Sequence, residues 1–494
     1  MLVVLVMLIS SPLCAKELYE KKWLKASSAN FEIYSRMNER DSLDLLHHLE
    51  VLRRILARTH LARVDSPVRT LIVVTGNRKE FELLGGNRDF VGSFLQGIRR
   101  NHILMRRLSG MDEASIVLHE YTHFLLRNSS SYRYPEWYQE GYAELLGETE
   151  ISGDFVILFS HPEDRAWSFA MPKWLPAEQL IDPGPIRSMP DMDRHMFYSQ
   201  SWALVHFLMN RGDDKPTTRE GLMRYSELRG AGMDKINAFE QAFDLDVTTL
   251  NRELRTYIFD DCCRVRKGLI DRILEGFDPV VERAAAADVA LALGHMSDAF
   301  GEHDIAQGFF ERALLGVSTR ARAHTGLAQI DAEGGNLESA QRHIDEALEL
   351  DPSDPEVLLD HAVWYANHAA GSDADTTVVA SDAIARRSFD AIAAEGNETP
   401  EYYLQRARFV MRADGNLVAG VDLLLRSYEM LPSDRNTQML LATHLENLGR
   451  YKEALDIAEQ IKSWSFENPQ QRQWATTFIE DLQSRLAETA SHSE

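Results

Sequence analysis

The chain has 494 residues, of which 44% are hydrophobic and 26% charged, and carries a formal net charge of −23. That length exceeds what one hydrophobic core organises, so two or three domains are expected. The acidic balance argues against nucleic acid or an anionic membrane surface as the main partner, because phosphate binding needs a basic face.

In chain order, the first segment is the apolar run "MLVVLVMLISSPLCA". It is too short to span a bilayer and ends in a small residue, the pattern of a secretory signal peptide over 1–15 cleaved after Ala15. The protein is then exported, to the periplasm or beyond; if the segment stays uncleaved, it tethers the chain to the membrane. Three cysteines are few. Cys14 leaves with the signal, and the adjacent Cys262 and Cys263 cannot bridge each other without strain. They either pack or pair between chains, and the pattern is neither a disulfide scaffold nor a thiolate zinc site.

Residues 17 to about 110 read as mixed α/β. "FEIYS" (Phe31 to Ser35) and "RTLIVVT" (Arg69 to Thr75) have strand composition. Between them, Leu43, Leu46, Leu49, Leu52 and Leu56 mark one face of a helix. "VGSFLQG" and "NHILMRR" are expected to form a hairpin leading into a helix that starts at Met111 and Asp112. Asn128 and three serines end that helix, and Pro135 opens the next. Helical pattern resumes at "FYSQSWALVHFLMNR" and runs to "LRTYIFD"; no strand is expected after that.

The chemistry is concentrated in "VLHEYTHFLLRNSSSYRYPEWYQEGYAELLGE". His119 and His123 are four apart, so on a helix both imidazoles reach one ion, and neutral imidazole is a good zinc ligand. Glu120 lies beside the first ligand. A catalytic zinc needs a third protein ligand and an open position. The sixteen residues between His123 and Glu140 let the chain turn and return alongside, so Glu140 is the expected third ligand. Glu144, one turn on, is placed to accept the free N–H of a ligating histidine. Read instead as a solvated pair, Glu140 and Glu144 would put two like charges one turn apart, which costs energy.

This arrangement resembles the gluzincin metallopeptidases, whose second helix carries W-x-x-E-G-x-A-E; Trp137, Glu140, Gly141, Ala143 and Glu144 match that string. It is most similar to a group of exported bacterial proteins in the peptidase MA-like class, and the likeness runs through "ANFEIYS", "KWLPAEQL" and "AFEQAFDLDVTTLNRELRTYI", roughly residues 20 to 260. The resemblance implies an α+β zincin-like domain over 16–275, with Zn2+ as cofactor and a peptide or protein as substrate. It implies that Glu120 is the general base towards water and later the acid towards the leaving amine. It also implies an oxyanion-stabilising Tyr or His from a downstream helix, with Tyr198 first and His195 second; His206 reads as a packed histidine. The glycine-rich exopeptidase string of that superfamily is missing from "ELLGGNRDFVG", which favours an endopeptidase.

The second half repeats. Leu293–Gly294, Gly301, Ala306, Phe310 and Ala313 recur as Leu327–Ala328, Gly335, Ala340, Ile344 and Ala347 at an offset of 34, and Pro352 follows. This resembles the tetratricopeptide repeat. A third unit from Pro355 with Ala362 has its second helix late, near Phe389. A fourth centres on Ala407, a fifth on Ala442, Gly449 and Ala454, and a final helix caps the stack. An all-α tetratricopeptide-repeat solenoid is therefore expected over 284–488, with a protein partner on its concave face. Two further readings stay open: a protein-binding scaffold with a catalytically inactive zincin-like domain, and a hydrolase of a non-peptide amide.

Overall fold

The computed structural model describes residues 18–59, 67–88, 91–107, 113–128, 134–152, 154–158, 167–212, 215–261, 265–368, 375–464 and 469–491. The expected signal segment, the helix start at Met111 and Asp112, and Cys262 and Cys263 lie outside them.

The first elements are β1 (Leu24–Ser27), β2 (Phe31–Ser35), α1 (Glu39–Thr59), β3 (Arg69–Thr75), α2 (Arg78–Leu83), β4 (Gly92–Leu95) and β5 (Arg100–Arg106). Next come α3 (Glu113–Asn128), α4 (Glu136–Gly147), β6 (Glu150–Ser152), β7 (Phe155–Leu158), α5 (Ala177–Ile181) and α6 (Asp191–Met209). They are followed by α7 (Thr218–Gly230), α8 (Lys235–Phe243), α9 (Val247–Thr256), β8 (Arg266–Leu269), α10 (Ile270–Ile273) and β9 (Val280–Arg283). The rest is helical: α11 (Ala286–Ala299), α12 (His303–Ala313), α13 (Arg320–Glu333), α14 (Leu337–Leu350), α15 (Pro355–His368) and α16 (Asp375–Ala394). After these run α17 (Pro400–Ala413), α18 (Leu417–Met430), α19 (Arg435–Asn447), α20 (Tyr451–Trp464) and α21 (Pro469–Ser491). No described helix is long and apolar enough to cross a membrane.

These elements form two compact units. Of the described residues, one gathers those up to 46, within 67–111 and within 278–437; the other gathers those within 47–66, within 112–277 and from 438 onward. The first holds a six-stranded sheet in the order β4-β5-β3-β2-β1-β9. Its centre is parallel (β2, β3, β5) and its flanks antiparallel. Six of the seven residues of "RTLIVVT" are buried, as expected of a central strand covered on both faces. Tyr34, Leu71, Val73 and Leu104 share one core with Val289, Leu293 and Met296 of α11 and Ile305 and Phe309 of α12. The sheet is thus built into the same unit as the first helical hairpin, whereas a single domain over 16–275 puts it with the helices that carry His119 and Glu140.

Two strands stand where none was expected. "RKGL" (β8) and "VVER" (β9) are mostly exposed edge strands, and their pairing comes from distant partners, β7 and β1. Four residues of weak propensity give no period to read, so only the partner strand specifies them.

Helices α11 to α18 form four helical hairpins of tetratricopeptide-like pattern, each a pair of packed neighbours. The turn glycines Gly301 and Gly335, at the repeat offset, have φ of 82° and 80°, a conformation that favours glycine. Phe310 lies in the gap left by two other glycines: a Cβ at Gly294 or Gly326 would come within 2.7 or 2.6 Å of its ring. In the third hairpin α16 runs for 20 residues, which accounts for the late Phe389.

An ion network holds the β4–β5 turn to this array. Arg99 pairs with Asp360 and Glu401, Arg100 with Glu356, and Arg322 with Asp354. Burial alone would raise the Glu356 carboxyl, but the Arg100, Arg322 and Arg99 guanidinium groups outweigh it and hold it down at about 2.

The second unit contains helices α3 to α10 and a three-stranded sheet, β6-β7-β8. Val156 and Ile273 pack there on Val51 and Ile55 of α1. Helices α20 and α21 also belong to this unit and pack on each other.

Candidate metal centre

Helix α4 is buried from Trp137 through Gly147, so each of its faces has a partner. Trp137 meets Phe239 and Phe243 of α8 edge-on. Gly141 faces α6: a Cβ there would stand 2.2 Å from the Ser201 carbonyl oxygen and 2.8 Å from Val205. The glycine lets the two backbones touch, and this contact seats α6 beside the centre. Gly147 allows a similar approach to α3, with the Ser115 carbonyl 3.3 Å from where its Cβ would be. On α3, Tyr121 accepts a hydrogen bond from Arg53 at 2.8 Å, which anchors the helix to α1.

The remaining face of α4 turns its carboxylates to α3. His119 Nε2 and His123 Nε2 are 3.2 Å apart. Glu140 Oε2 is 3.6 Å from the first and 3.3 Å from the second. Three ligands on a tetrahedral zinc, bound at about 2.0–2.1 Å, would sit about 3.3–3.4 Å apart. The donors present therefore fit a zinc ion. Glu144 Oε1 lies 3.5 Å from His119 Nδ1, on the far side of the imidazole from the donor nitrogen. That placement favours the tautomer with the lone pair on Nε2.

The local field is anionic. Burial lowers the affinity of His119 for a proton, but the Glu140 contact and the charges of Glu144, Glu140 and Glu120 outweigh it and raise its pKa to about 9. Burial would lift the Glu140 carboxyl, and the charges and contacts of His123 and His119 instead hold it well below the usual range. The site concentrates negative charge around two imidazoles, the environment in which a cation is favoured.

A cavity of about 410 Å³ opens beside the cluster, lined by His119, Glu120, Glu144, Glu148, His195 and Tyr198, among others. The Tyr198 and His119 rings are 6.5 Å apart at 70°. His195 stacks on Trp167 at 4.6 Å. Every residue singled out for the site in the sequence thus falls in one place: His119, His123 and Glu140 as a donor triad, Glu144 behind it, and Glu120, Tyr198 and His195 on the cavity. His206, expected to be packed, is buried and contacts Tyr257 through Nδ1. Glu148 was not singled out; the spacing of four that runs through Glu140 and Glu144 was its signal.

No protein-family model and no curated protein matches the chain. Among solved structures it is similar to a tetratricopeptide repeat protein from Parabacteroides merdae, at 14% identity over 54% of this chain and 92% of that one, with a TM-score of 0.27. It is also similar to the APC/C hetero-tetramer Cut9–Hcn1, at 14% identity over 64% of this chain and 62% of that one, with a TM-score of 0.32. Likeness at this level says nothing about function; the helical repeats rest on the hairpins themselves.

Proposed function

We propose that this protein is an exported zinc-dependent endopeptidase joined to a helical-repeat scaffold that binds protein. The observation that carries the reading is the convergence of His119, His123 and Glu140 from two helices at zinc-ligand spacing, beside a cavity that Glu120 lines. A bound zinc ion would supply Lewis acidity, polarising a carbonyl and bringing the pKa of water towards about 7. Glu120 is the carboxylate available to take a proton from water in the cavity and return it to a leaving amine. Tyr198 and His195 offer an O–H and an N–H to a developing oxyanion. Glu144 keeps His119 oriented, and Gly141 keeps α6 close enough for Tyr198 to line the same cavity.

The test is to measure zinc content and cleavage of an unfolded protein for the wild type and Glu120→Gln. Cleavage by the wild type that is lost in a zinc-retaining variant supports the proposal. A zinc-loaded wild type that cleaves no unfolded protein supports the second reading, a protein-binding scaffold whose metal module is structural only. The four packed hairpins from Ala286 to Met430 favour that scaffold role.

A further inference from the structure

A second set of metal-ligating side chains converges inside the repeats. His324 of α13 and His343 of α14 face each other across the second hairpin, with their Nδ1 atoms 2.8 Å apart. Glu346, one turn beyond His343, places Oε2 3.3 Å from His324 Nδ1 and 4.0 Å from His343 Nδ1. Asp331 of α13 lies on the other side of His343, with Oδ2 3.8 Å from Nε2.

The repeat itself shows that these positions are unusual. Shifted back by one repeat length of 34, His324 corresponds to Ala290 and His343 to Phe309. Both of those are buried apolar residues of the first hairpin. The second hairpin replaces this apolar contact with two imidazoles, whose side chains remain only 11% and 22% exposed. Polar groups in a helix–helix seam cost stability unless they are satisfied. A hydrogen bond between the imidazoles accounts for two of the groups, but gives no part to Glu346, which closes the third side, or to Asp331 behind.

We infer that His324, His343 and Glu346 form a second site for a divalent metal ion of the zinc type. Donors bound at about 2.0–2.1 Å to one ion stand about 3.4 Å apart at a tetrahedral angle and at most about 4.2 Å apart. The three observed distances fall on both sides of the first value and within the second. Asp331, 3.8 Å from Nε2 and so beyond hydrogen-bonding distance, lies on the far side of the ring, where its charge favours the tautomer that leaves Nδ1 free to bind, the side on which an outer carboxylate stands at histidine–metal sites. The ion cross-links α13 to α14, so its effect is to clamp the second hairpin. The group Asp298, His303 and Glu333 offers a single imidazole that is half exposed and makes a poorer site.

The test separates this site from the centre on α3 and α4 and reads no cleavage. The full chain carrying His123→Ala, which weakens the first centre, is titrated with zinc by calorimetry. It is compared with the same chain carrying His343→Ala, Glu346→Gln or Asp331→Asn in addition. Expected are one zinc bound by His123→Ala, affinity at least a hundredfold weaker with His343→Ala, and about tenfold weaker with Glu346→Gln. Asp331→Asn weakens it by about 10–100-fold. Glu346 is half exposed, so its replacement leaves folding intact, and circular dichroism checks this for each chain. The inference is overturned if the His123→Ala chain takes up no zinc, or if its uptake is unchanged by His343→Ala and Glu346→Gln.

Discussion

The seam between α3 and α4 and the seam between α11 and α12 are both contacts between neighbouring helices, filled in opposite ways. In the first, His119, His123, Glu140 and Glu144 occupy the contact, with His119 within 3.6 Å of each of the other three. In the second, Ala290, Leu293, Ala306, Phe309 and Phe310 fill the space with apolar volume. Buried charge destabilises a helix pair unless something compensates it, whereas apolar volume stabilises directly. The polar seam therefore gives up stability that the apolar seam gains.

Substitutions in the two seams should move different observables. The largest effect is expected from Glu120→Gln: cleavage of an unfolded protein falls by about 10²–10⁴-fold while the unfolding temperature holds. A drop in unfolding temperature at constant activity would break the contrast. Phe310→Ala should do the reverse. It empties the space beside Gly294 and Gly326 and costs about 3–5 kcal/mol in denaturant unfolding, with metal content of the folded protein unchanged. Gly141→Ala sharpens the comparison, because it should move both readouts. Its Cβ forces α4 and α6 apart at the Ser201 carbonyl, costing about 1–3 kcal/mol and lowering cleavage through displaced Tyr198. Glu144→Gln should leave stability near wild type and weaken zinc binding by about 10–100-fold in competition with a chelator.

The smallest effect concerns a charge that does serve stability. Glu356 is depressed in the folded state to about 2 from an ordinary 4.5. A depressed carboxylate contributes stability that is present above its unfolded value and lost as pH falls through the folded one. Glu356→Gln should thus cost about 1–2 kcal/mol at pH 7, allowing for solvent screening. The gap to wild type should close between pH 4.5 and 2, followed by acid unfolding curves of both chains.

Much of the centre was legible because its residues are local. The spacing of four puts His119 with His123 and Glu140 with Glu144, and helix periodicity alone sets their faces. The glycines of the turns and the alanines of the repeats were legible for the same reason. The positions of Tyr198 and His195 required a resemblance, since sequence spacing does not state which helix face α6 turns to the cavity. Glu148 escaped because its i,i+4 relation to Glu144 is equally that of a solvated face. The strands β8 and β9 were illegible, since an edge strand of four residues exists only when its partner does. The division of the chain was likewise hidden: β9 returns to β1 across more than two hundred residues, and no local pattern records that pairing.

The sequence by itself determined what local spacing controls: the two helices that carry His119, His123, Glu140 and Glu144, the strands "FEIYS" and "RTLIVVT", and the helical repeat. Tertiary structure decided that the His119 and His123 Nε2 atoms and the Glu140 oxygen meet at 3.2–3.6 Å. It also decided that α6 reaches the cavity through Gly141, and that the sheet shares its core with α11 and α12. The physical reason is range. Helix periodicity and turn conformation are set within a few residues, while convergence depends on side-chain packing between segments that the chain brings together only on folding.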